Sequence, residues 1–278
     1  MYDAAFRFDT AAPQRATGEL AVSLRARDGG TALAGLRQAG CLRARFPRGG
    51  TPGWADVVTL NISGGVAGGD RLDSRFAVQT GARASFTAQA AERYYRALPD
   101  GEPAHVRTSI DVAAGGSAEW LPQETILFDR SALDRRLDVE LAADAWFLGL
   151  EWLVFGRAAL GETVAFGSLR DTFAIRRAGR LVLYDAIRLD GAIAATLCGR
   201  ATAGCARAVA VLVHVAPDAE SHIDALRAVL PAEAGASAWN GMLVARMITA
   251  DTAALRSSVV AALAVLRGPR KLPRVWWC

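Results

Sequence analysis

The segment ADVVTLNISGGVAGGDRLDSRFAVQTGARASFTAQAA (residues 55–91) decides the fold class. It contains three short runs that alternate apolar with polar residues or are rich in β-branched and aromatic residues: ADVVTLNIS, RLDSRFAVQ and RASFTAQAA. Such runs are typical of β-strands, and the glycines between them are typical of turns. This segment therefore predicts consecutive strands joined by tight connections.

The same pattern extends over residues 1–207. Further candidate strands are GELAVSLRAR, AHVRTSIDVA, SAEWLPQETILF and LDRRLDVELA, and turn signals such as RDGG, LPDGEP and AAGG separate them. Many short strands divided by turns indicate a sandwich, a barrel or a β-solenoid rather than a parallel α/β sheet. We therefore predict a mainly β body over residues 1–207.

The pattern changes in the last part of the chain, residues 208–278. CARAVAVLVHVA and GMLVARMIT predict buried strands, whereas DAESHIDALRAVLP and DTAALRSSVVAALAVLRG predict helices. Capping residues precede the second helix, and glycine and proline end it. This is a β-α-β-α portion with two helices. No Ser/Pro-rich linker precedes it, so we expect it to pack on the body within a single domain, 1–278.

Composition excludes several classes of protein. The chain has 278 residues, of which 52% are apolar, and a net charge of +4. Acidic and basic residues are interleaved, which argues against a nucleic-acid-binding surface. No apolar run approaches the roughly 20 residues that span a membrane, and the first residues contain no apolar signal core. We expect a cytoplasmic protein whose four cysteines are free thiols: Cys41, Cys198, Cys205 and Cys278.

The glycine-rich stretch SGGVAGGD (63–70) does not match a nucleotide-binding loop. A P-loop needs a lysine followed by serine or threonine, and Lys271 is the only lysine of the sequence. A dinucleotide-binding loop needs a different glycine spacing and a following helix, whereas a predicted strand follows here. The stretch therefore predicts a tight connection that shapes the β body and positions Asp70.

Candidate catalytic groups are few. The three histidines and four cysteines lack metal-ligand spacing, and His214 lies in an apolar strand, which predicts a core or interface residue. Glu119 and Glu124 flank WLPQ, and carboxylates of this kind could perform acid–base chemistry on a glycan in a β-solenoid hydrolase. The alternative is that arginines, which are abundant in this chain, pair with them. The residues alone leave both readings open.

Five motifs read together resemble the family of urease accessory proteins called UreD, or UreH in some organisms. The motifs are SGGVAGGDRLD (63–73), FTAQAAERYYRA (86–97), AEWLPQETILFDRSALDRR (118–136), FGRAALGE (155–162) and LPRVWW (272–277). They occur in the family's order over nearly the whole chain. The resemblance implies a β-helix-like, irregular β-solenoid body with two helices.

The resemblance also implies a function that is not enzymatic. Members of this family are expected to bind apo-urease and to recruit UreF, which in turn docks the GTPase UreG. Ni²⁺ is expected to pass in transit through an internal, water-filled passage toward the urease active site, with no tightly bound cofactor. Oxygen ligands suit such a passage because they release the ion readily. The hydrolase remains the alternative hypothesis.

Individual candidates follow from these motifs. The resemblance carries Asp70 and Glu162 over as candidate nickel ligands of the passage, with Glu162 as the first choice, and we add Glu151 because it is acidic within an apolar stretch. Thr87 and Glu92 are further candidates at the passage or a partner interface. Arg157 is a candidate partner of Glu162. Trp276 and Trp277 are candidate interface residues, because tryptophan often contributes a large share of the binding energy at protein interfaces. Packing of this pair on the body is the alternative.

Overall fold

The computed structural model describes residues 14–277, which form two β-sheets and a few helices. The α-helices of the described residues are α1 (Ile193–Leu197), α2 (Ile223–Val229) and α3 (Thr252–Arg267), and short 3₁₀ turns lie at Ala158–Leu160, Ala219–His222 and Arg274–Trp277. The strands are β1 (Thr17–Arg27), β2 (Gly30–Gly40), β3 (Leu42–Arg45), β4 (Ala55–Asn61), β5 (Arg71–Val78), β6 (Arg83–Ala88), β7 (Glu92–Tyr94), β8 (Ala104–Val112), β9 (Ser117–Leu121), β10 (Thr125–Leu127), β11 (Ala132–Leu141), β12 (Trp146–Phe155), β13 (Gly167–Arg177), β14 (Arg180–Gly191), β15 (Ala208–Val215), β16 (Gly235–Trp239) and β17 (Met242–Thr249).

In each sheet the central strands are parallel and antiparallel strands lie at the edges. The first sheet has the order β14-β13-β11-β8-β5-β1-β2, and its five inner strands are parallel. The second has the order β16-β17-β15-β12-β9-β6-β4-β3, with β4, β6, β9 and β12 parallel. Two short strands, β7 and β10, pair with each other, and β10 also pairs with β12. From β4 to β13, the strands other than β7 and β10 alternate between the two sheets.

Strand register stacks apolar side chains on the inner face of the first sheet. Val22, Phe76, Ile110, Val139 and Ile175 are neighbours on five adjacent strands, and all are buried. Residues on the other face of these strands are mostly polar, as expected of a sheet with one solvated face. The period-two pattern in the sequence therefore reflects this burial directly.

A second apolar cluster lies on the other side of the second sheet. Leu150 and Trp152 of β12 belong to it together with Leu255, Val259 and Leu263 of α3. Since both faces of β12 are covered, every residue after Trp146 in that strand is buried. Helix α3 begins after Asp251, whose side chain accepts hydrogen bonds from the backbone N–H groups of Ala253 and Ala254.

The prediction of a mainly β protein is confirmed by these strands. The β-solenoid description is not confirmed and stays a prediction, since both sheets are open and antiparallel strands extend them. Within residues 208–277 both predicted helices are present, but the order is β-α-β-β-α. The additional strand is β16, which forms a hairpin with β17. Strand β15 pairs with β12, so this portion continues the second sheet.

The prediction of free thiols is wrong for one pair of cysteines. Cys198 and Cys205 form a disulfide that closes the loop between α1 and β15, whereas Cys41 is a buried free thiol. The backbone turns back on itself after α1, with Thr202 Oγ1 donating to the carbonyl of Thr196. Spacing alone did not indicate this turn. Cys278 lies outside the described residues.

Candidate functional site

A cavity of about 160 Å³ lies beside the inner face of the first sheet, at the short strands β7 and β10. Apolar side chains such as Leu72 and Phe76 form part of its wall. The rest of the wall is unusually polar for an interior and includes Asn61, Ser74, Gln89, Glu92, Thr108, Gln123, Thr125, Arg135 and Glu151. A cavity of this size and polarity has room for several water molecules.

Glu92 is the first residue of β7 and lines this cavity. Asn61 Nδ2 lies 3.4 Å from one carboxylate oxygen of Glu92. Burial raises the pKa of Glu92 to about 7, more than the lowering effect of that amide can offset. Glu92 therefore exchanges its proton near neutral pH, and its charged form gains from any cation that enters the cavity.

Glu151, Arg135 and Asp171 form a buried ion-pair network on β12, β11 and β13. Arg135 and Asp171 are register partners and make two hydrogen bonds, of 2.9 and 2.6 Å. Arg135 Nη1 also lies 2.8 Å from Glu151 Oε2, and Trp120 Nε1 donates to Glu151 Oε1 at 2.7 Å. Burial raises the pKa of Glu151, against the lowering effect of Arg135.

Glu151 also lines a second cavity, of about 250 Å³, on the other side of this network. Asp171 and Asp185 face the same space, and Asp185 pairs with Arg246 through contacts of 2.8 and 3.0 Å. Thr202, inside the loop closed by the disulfide, forms part of the wall. Glu151 is therefore the shared boundary of the two cavities.

A third, more open depression of about 440 Å³ borders the first cavity at Gln89, Ala90 and Gln123, which line both. Its other walls come from the end of the chain and from an ion pair between Glu124 and Arg256, 2.8 Å apart. Three neighbouring spaces thus share wall residues, and acidic side chains recur along them.

Glu119 and Glu124 do not form a catalytic pair. Glu119 is fully buried, where Arg267 and Arg270 bind its carboxylate. Glu124 instead binds Arg256. Two arginines bind Glu119 and a third binds Glu124, so the arrangement does not support the glycan hydrolase.

The structure places Glu162 and Arg157 together, at the surface. Their side chains are 2.8 Å apart, so the predicted pairing is confirmed, and Arg157 lies over the ring of Phe128. The arginine lowers the pKa of Glu162, whose oxygens also accept hydrogen bonds from the backbone N–H groups of Asp129 and Arg157. Neither residue is among the described residues that line the three cavities. A role for Glu162 in nickel transit stays a prediction.

Asp70 closes the glycine-rich turn. Its two carboxylate oxygens accept hydrogen bonds from the backbone N–H groups of Ala16 and Ala67, both at 2.8 Å. In the same turn Gly65 has φ +136°, and a Cβ there would lie 2.3 Å from the ring of Tyr95. These contacts give the turn an architectural role, and transit through Asp70 stays a prediction.

Thr87 and the two terminal tryptophans lie in different surroundings. Thr87 is buried on β6 and is absent from the walls of the three cavities, as far as the described residues show. Trp276 is buried and stacks on Trp152 with ring centroids 5.6 Å apart. Trp277 is 67% exposed beside the third depression. Of the two adjacent tryptophans, Trp276 is therefore part of the core, whereas Trp277 is accessible to a partner.

His214 is a core residue, which confirms one of the two readings of its strand. It is buried between Trp146 and His222, and its ring nitrogens have no hydrogen-bond partner among the described residues. Burial lowers its pKa to about 4, so it is neutral at physiological pH. Within residues 14–277 no cluster of three or more His, Cys, Asp or Glu is arranged to hold a metal ion.

Sequence reasoning missed Arg135, Asp171 and Asp185. The first two carried a signal, because each occupies an inward position of its strand, in phase with buried apolar residues. A charged residue in that phase must be paired or must face a cavity. The signal in Asp185 was weaker because β14 is an edge strand with mixed exposure.

These features define a mainly β protein with neighbouring cavities lined by carboxylates. Residues 16–277 match the family model described as UreD urease accessory protein, and the chain belongs to this family. It is 46% identical over 273 residues to the urease accessory protein UreD of Methylobacterium sp. (strain 4-46), covering 95% of each chain. It is 44% identical to the UreD of Dinoroseobacter shibae, covering 95% of this chain and 92% of the relative. No helix of the described residues is long and apolar enough to cross a membrane.

Proposed function

We propose that this chain is a maturation factor for urease. It binds apo-urease, recruits UreF and through UreF the GTPase UreG, and carries Ni²⁺ in transit toward the urease active site. Family membership supports the urease-related role. The protein acts through binding rather than as an enzyme, holds no tightly bound cofactor, and works in the cytoplasm.

The observation that carries the transit part of this proposal is the sharing of wall residues between the three spaces. Gln89, Ala90 and Gln123 line both the open depression and the first cavity, and Glu151 lines both the first cavity and the second. Carboxylates and water bind a divalent cation with less selectivity and retention than a site of histidine and cysteine ligands. A conduit needs this weak binding at several successive positions.

The geometry favours Glu92 and Glu151 over Glu162 and Asp70 as transit residues. Glu92 and Glu151 face cavities, and the pKa of each is raised by burial, so an incoming cation relieves an existing cost. Both carboxylate oxygens of Asp70 and of Glu162 accept hydrogen bonds from backbone N–H groups, whereas among the described residues Oε2 of Glu151 accepts none. Asp171 and Asp185 extend the acidic lining into the second cavity.

Trp277 is the side chain that we assign to partner contact at the open depression. It is large, exposed and adjacent to the ion pair of Glu124 and Arg256. Tryptophan and arginine contribute disproportionately to protein interfaces. The buried Trp276 supports this segment from inside by stacking on Trp152.

Co-expression tests the assembly part of the proposal. The chain, apo-urease and UreF are produced together, and a tag on urease is used to recover the complex. We expect all three proteins to be recovered in fixed ratio, and UreG to join when it is added. Recovery of urease with neither this chain nor UreF would contradict the proposal.

A further inference from the structure

Arg135 lies at the boundary between the first and the second cavity. It lines the first cavity, while Glu151 lines both and Asp171 lines the second. Its guanidinium donates hydrogen bonds to both carboxylate oxygens of Asp171 and a further one, of 2.7 Å, to Thr125 Oγ1. Burial works to lower the pKa of Arg135, but the charges of Asp171 and Glu151 outweigh it. Arg135 is thus a permanent buried cation between two carboxylates.

The two carboxylates are held unequally. Asp171 is fixed by a two-point fork, which is the strong geometry for an arginine–carboxylate pair. Glu151 Oε2 lies 2.8 Å from Arg135 Nη1, yet among the described residues it has no hydrogen-bond partner of suitable geometry. One buried oxygen at the shared wall is therefore neutralised by charge but left without a hydrogen bond.

We propose that Arg135 is the resident counter-cation of this boundary, displaced from Glu151 by a divalent cation that moves between the cavities and restored when the cation leaves. The inference rests on the proposed transit function. Asp171 keeps the arginine tethered while Glu151 changes partner. The ion pair between Glu151 and Arg135 is exchanged for coordination of the cation by the Glu151 carboxylate, and no covalent bond of the protein is made or broken.

The net charge of Arg135, Asp171 and Glu151 determines how tightly this boundary would hold a cation. Two carboxylates and one guanidinium carry a net charge of −1, which attracts a cation, and the arginine competes for the same oxygen and prevents tight retention. Without the arginine the boundary would carry −2 in a buried place, and an uncompensated buried charge is very unfavourable. A divalent cation would then be held rather than passed on. Arg135 therefore acts as a positioning residue that sets the residence time of the cargo.

Nickel binding to the purified full chain tests the inference. Equilibrium dialysis measures Kd for Ni²⁺, and a chelator chase measures its release. We expect Arg135→Gln to bind Ni²⁺ at least tenfold more tightly than the unaltered protein and to release it at least tenfold more slowly. Arg135→Gln combined with Asp171→Asn restores the net charge of −1 and should return both values to within about threefold of the unaltered protein. Arg135→Lys, which keeps the positive charge, should also remain within that range.

An Arg135→Gln protein that folds but binds and releases nickel like the unaltered protein would overturn the inference. If that variant does not fold, an NMR measurement on the unaltered protein tests the inference instead. Paramagnetic Ni²⁺ should broaden the indole N–H signal of Trp120, which donates to Glu151, and Glu151→Gln should abolish the effect. Absence of broadening at a nickel concentration that saturates the protein would also overturn it.

Failure of the transit function is distinguishable from failure of this inference. If urease is fully loaded by a variant lacking Glu92 and Glu151 carboxylates, the transit function fails, whatever the affinity of Arg135→Gln. If loading depends on those carboxylates but Arg135→Gln leaves nickel affinity unchanged, transit stands and the role of Arg135 fails.

Discussion

Glu119 and Arg267, 148 positions apart in the sequence, form an ion pair with two hydrogen bonds of 2.9 and 3.0 Å, and both side chains are almost completely buried. Glu119 lies on β9 and Arg267 ends α3. Arg270 binds the same carboxylate and stacks on Trp54. The pair therefore fastens the C-terminal helix to the second sheet.

Removing one partner of this pair should be costly. We expect Arg267→Met to lower the free energy of unfolding by about 3–5 kcal/mol, because a buried carboxylate loses its main partner. Urea denaturation followed by circular dichroism measures this change. The exposed pair of Glu19 and Arg37 is the control, and Arg37→Met should cost less than about 1 kcal/mol. Equal losses in the two variants would contradict the buried arrangement.

Stability should fall as pH rises through the titration range of Glu92. The pKa of this carboxyl rises from 4.5 when unfolded to about 7 when folded, so the folded state binds more protons between these values. We expect Glu92→Gln to gain stability relative to the unaltered protein between pH 4.5 and 7, by at most about 3 kcal/mol. Urea denaturation at several pH values measures it. Glu233→Gln, at an exposed position, serves as the control, and parallel curves for both variants would refute the assignment.

The two terminal tryptophans should separate stability from binding. Trp276→Ala removes a buried stacked ring and should cost about 3–5 kcal/mol. Trp277→Ala should change stability by less than about 0.5 kcal/mol yet weaken the complex with UreF or apo-urease at least tenfold. Denaturation and affinity measurements on both variants decide this. An unchanged affinity of Trp277→Ala for both UreF and apo-urease would contradict the proposed contact.

The disulfide should stabilise the loop that borders the second cavity. Closing a loop of this length contributes about 2 kcal/mol in the chain-entropy account. We expect Cys198→Ser with Cys205→Ser to lose that amount, and dithiothreitol to destabilise the unaltered protein equally. The reductant should have no further effect on the double variant. An additional loss there would indicate that another thiol is responsible.

The sequence predicted those parts of the fold that depend on local patterns. Period-two alternation identified strands such as β5, and an aspartate cap with a glycine stop identified α3. Parallel pairing could not be predicted in the same way, because partners such as Phe76 and Ile110 lie in separate strands and their register depends on the packing of the whole core.

The candidate site was predicted only in part, because it too depends on the pairing of strands that are far apart in the sequence. Glu92 and Glu151 were named as candidates from sequence, and the structure places both at one cavity. Their neighbour Asp171 lies 36 positions from Arg135 and meets it only through strand register. Glu162 stood in a conspicuous motif, but a nearby arginine holds it at the surface. Motifs identified the family, whereas the cavities depend on non-local pairing.

Nickel loading tests the transit function most directly. The complex with apo-urease, UreF and UreG is purified with the unaltered chain, with Glu92→Gln combined with Glu151→Gln, or with Glu162→Gln. Assembly of each complex is first confirmed by size-exclusion chromatography. Bound nickel per urease active site is then measured after activation with GTP, bicarbonate and Ni²⁺.

We expect the variant lacking the Glu92 and Glu151 carboxylates to assemble normally but to load urease with at least tenfold less nickel. Glu162→Gln, a matched change outside the cavities, should load urease to at least half the level of the unaltered chain. Full nickel loading by an intact complex that lacks both cavity carboxylates would contradict the account.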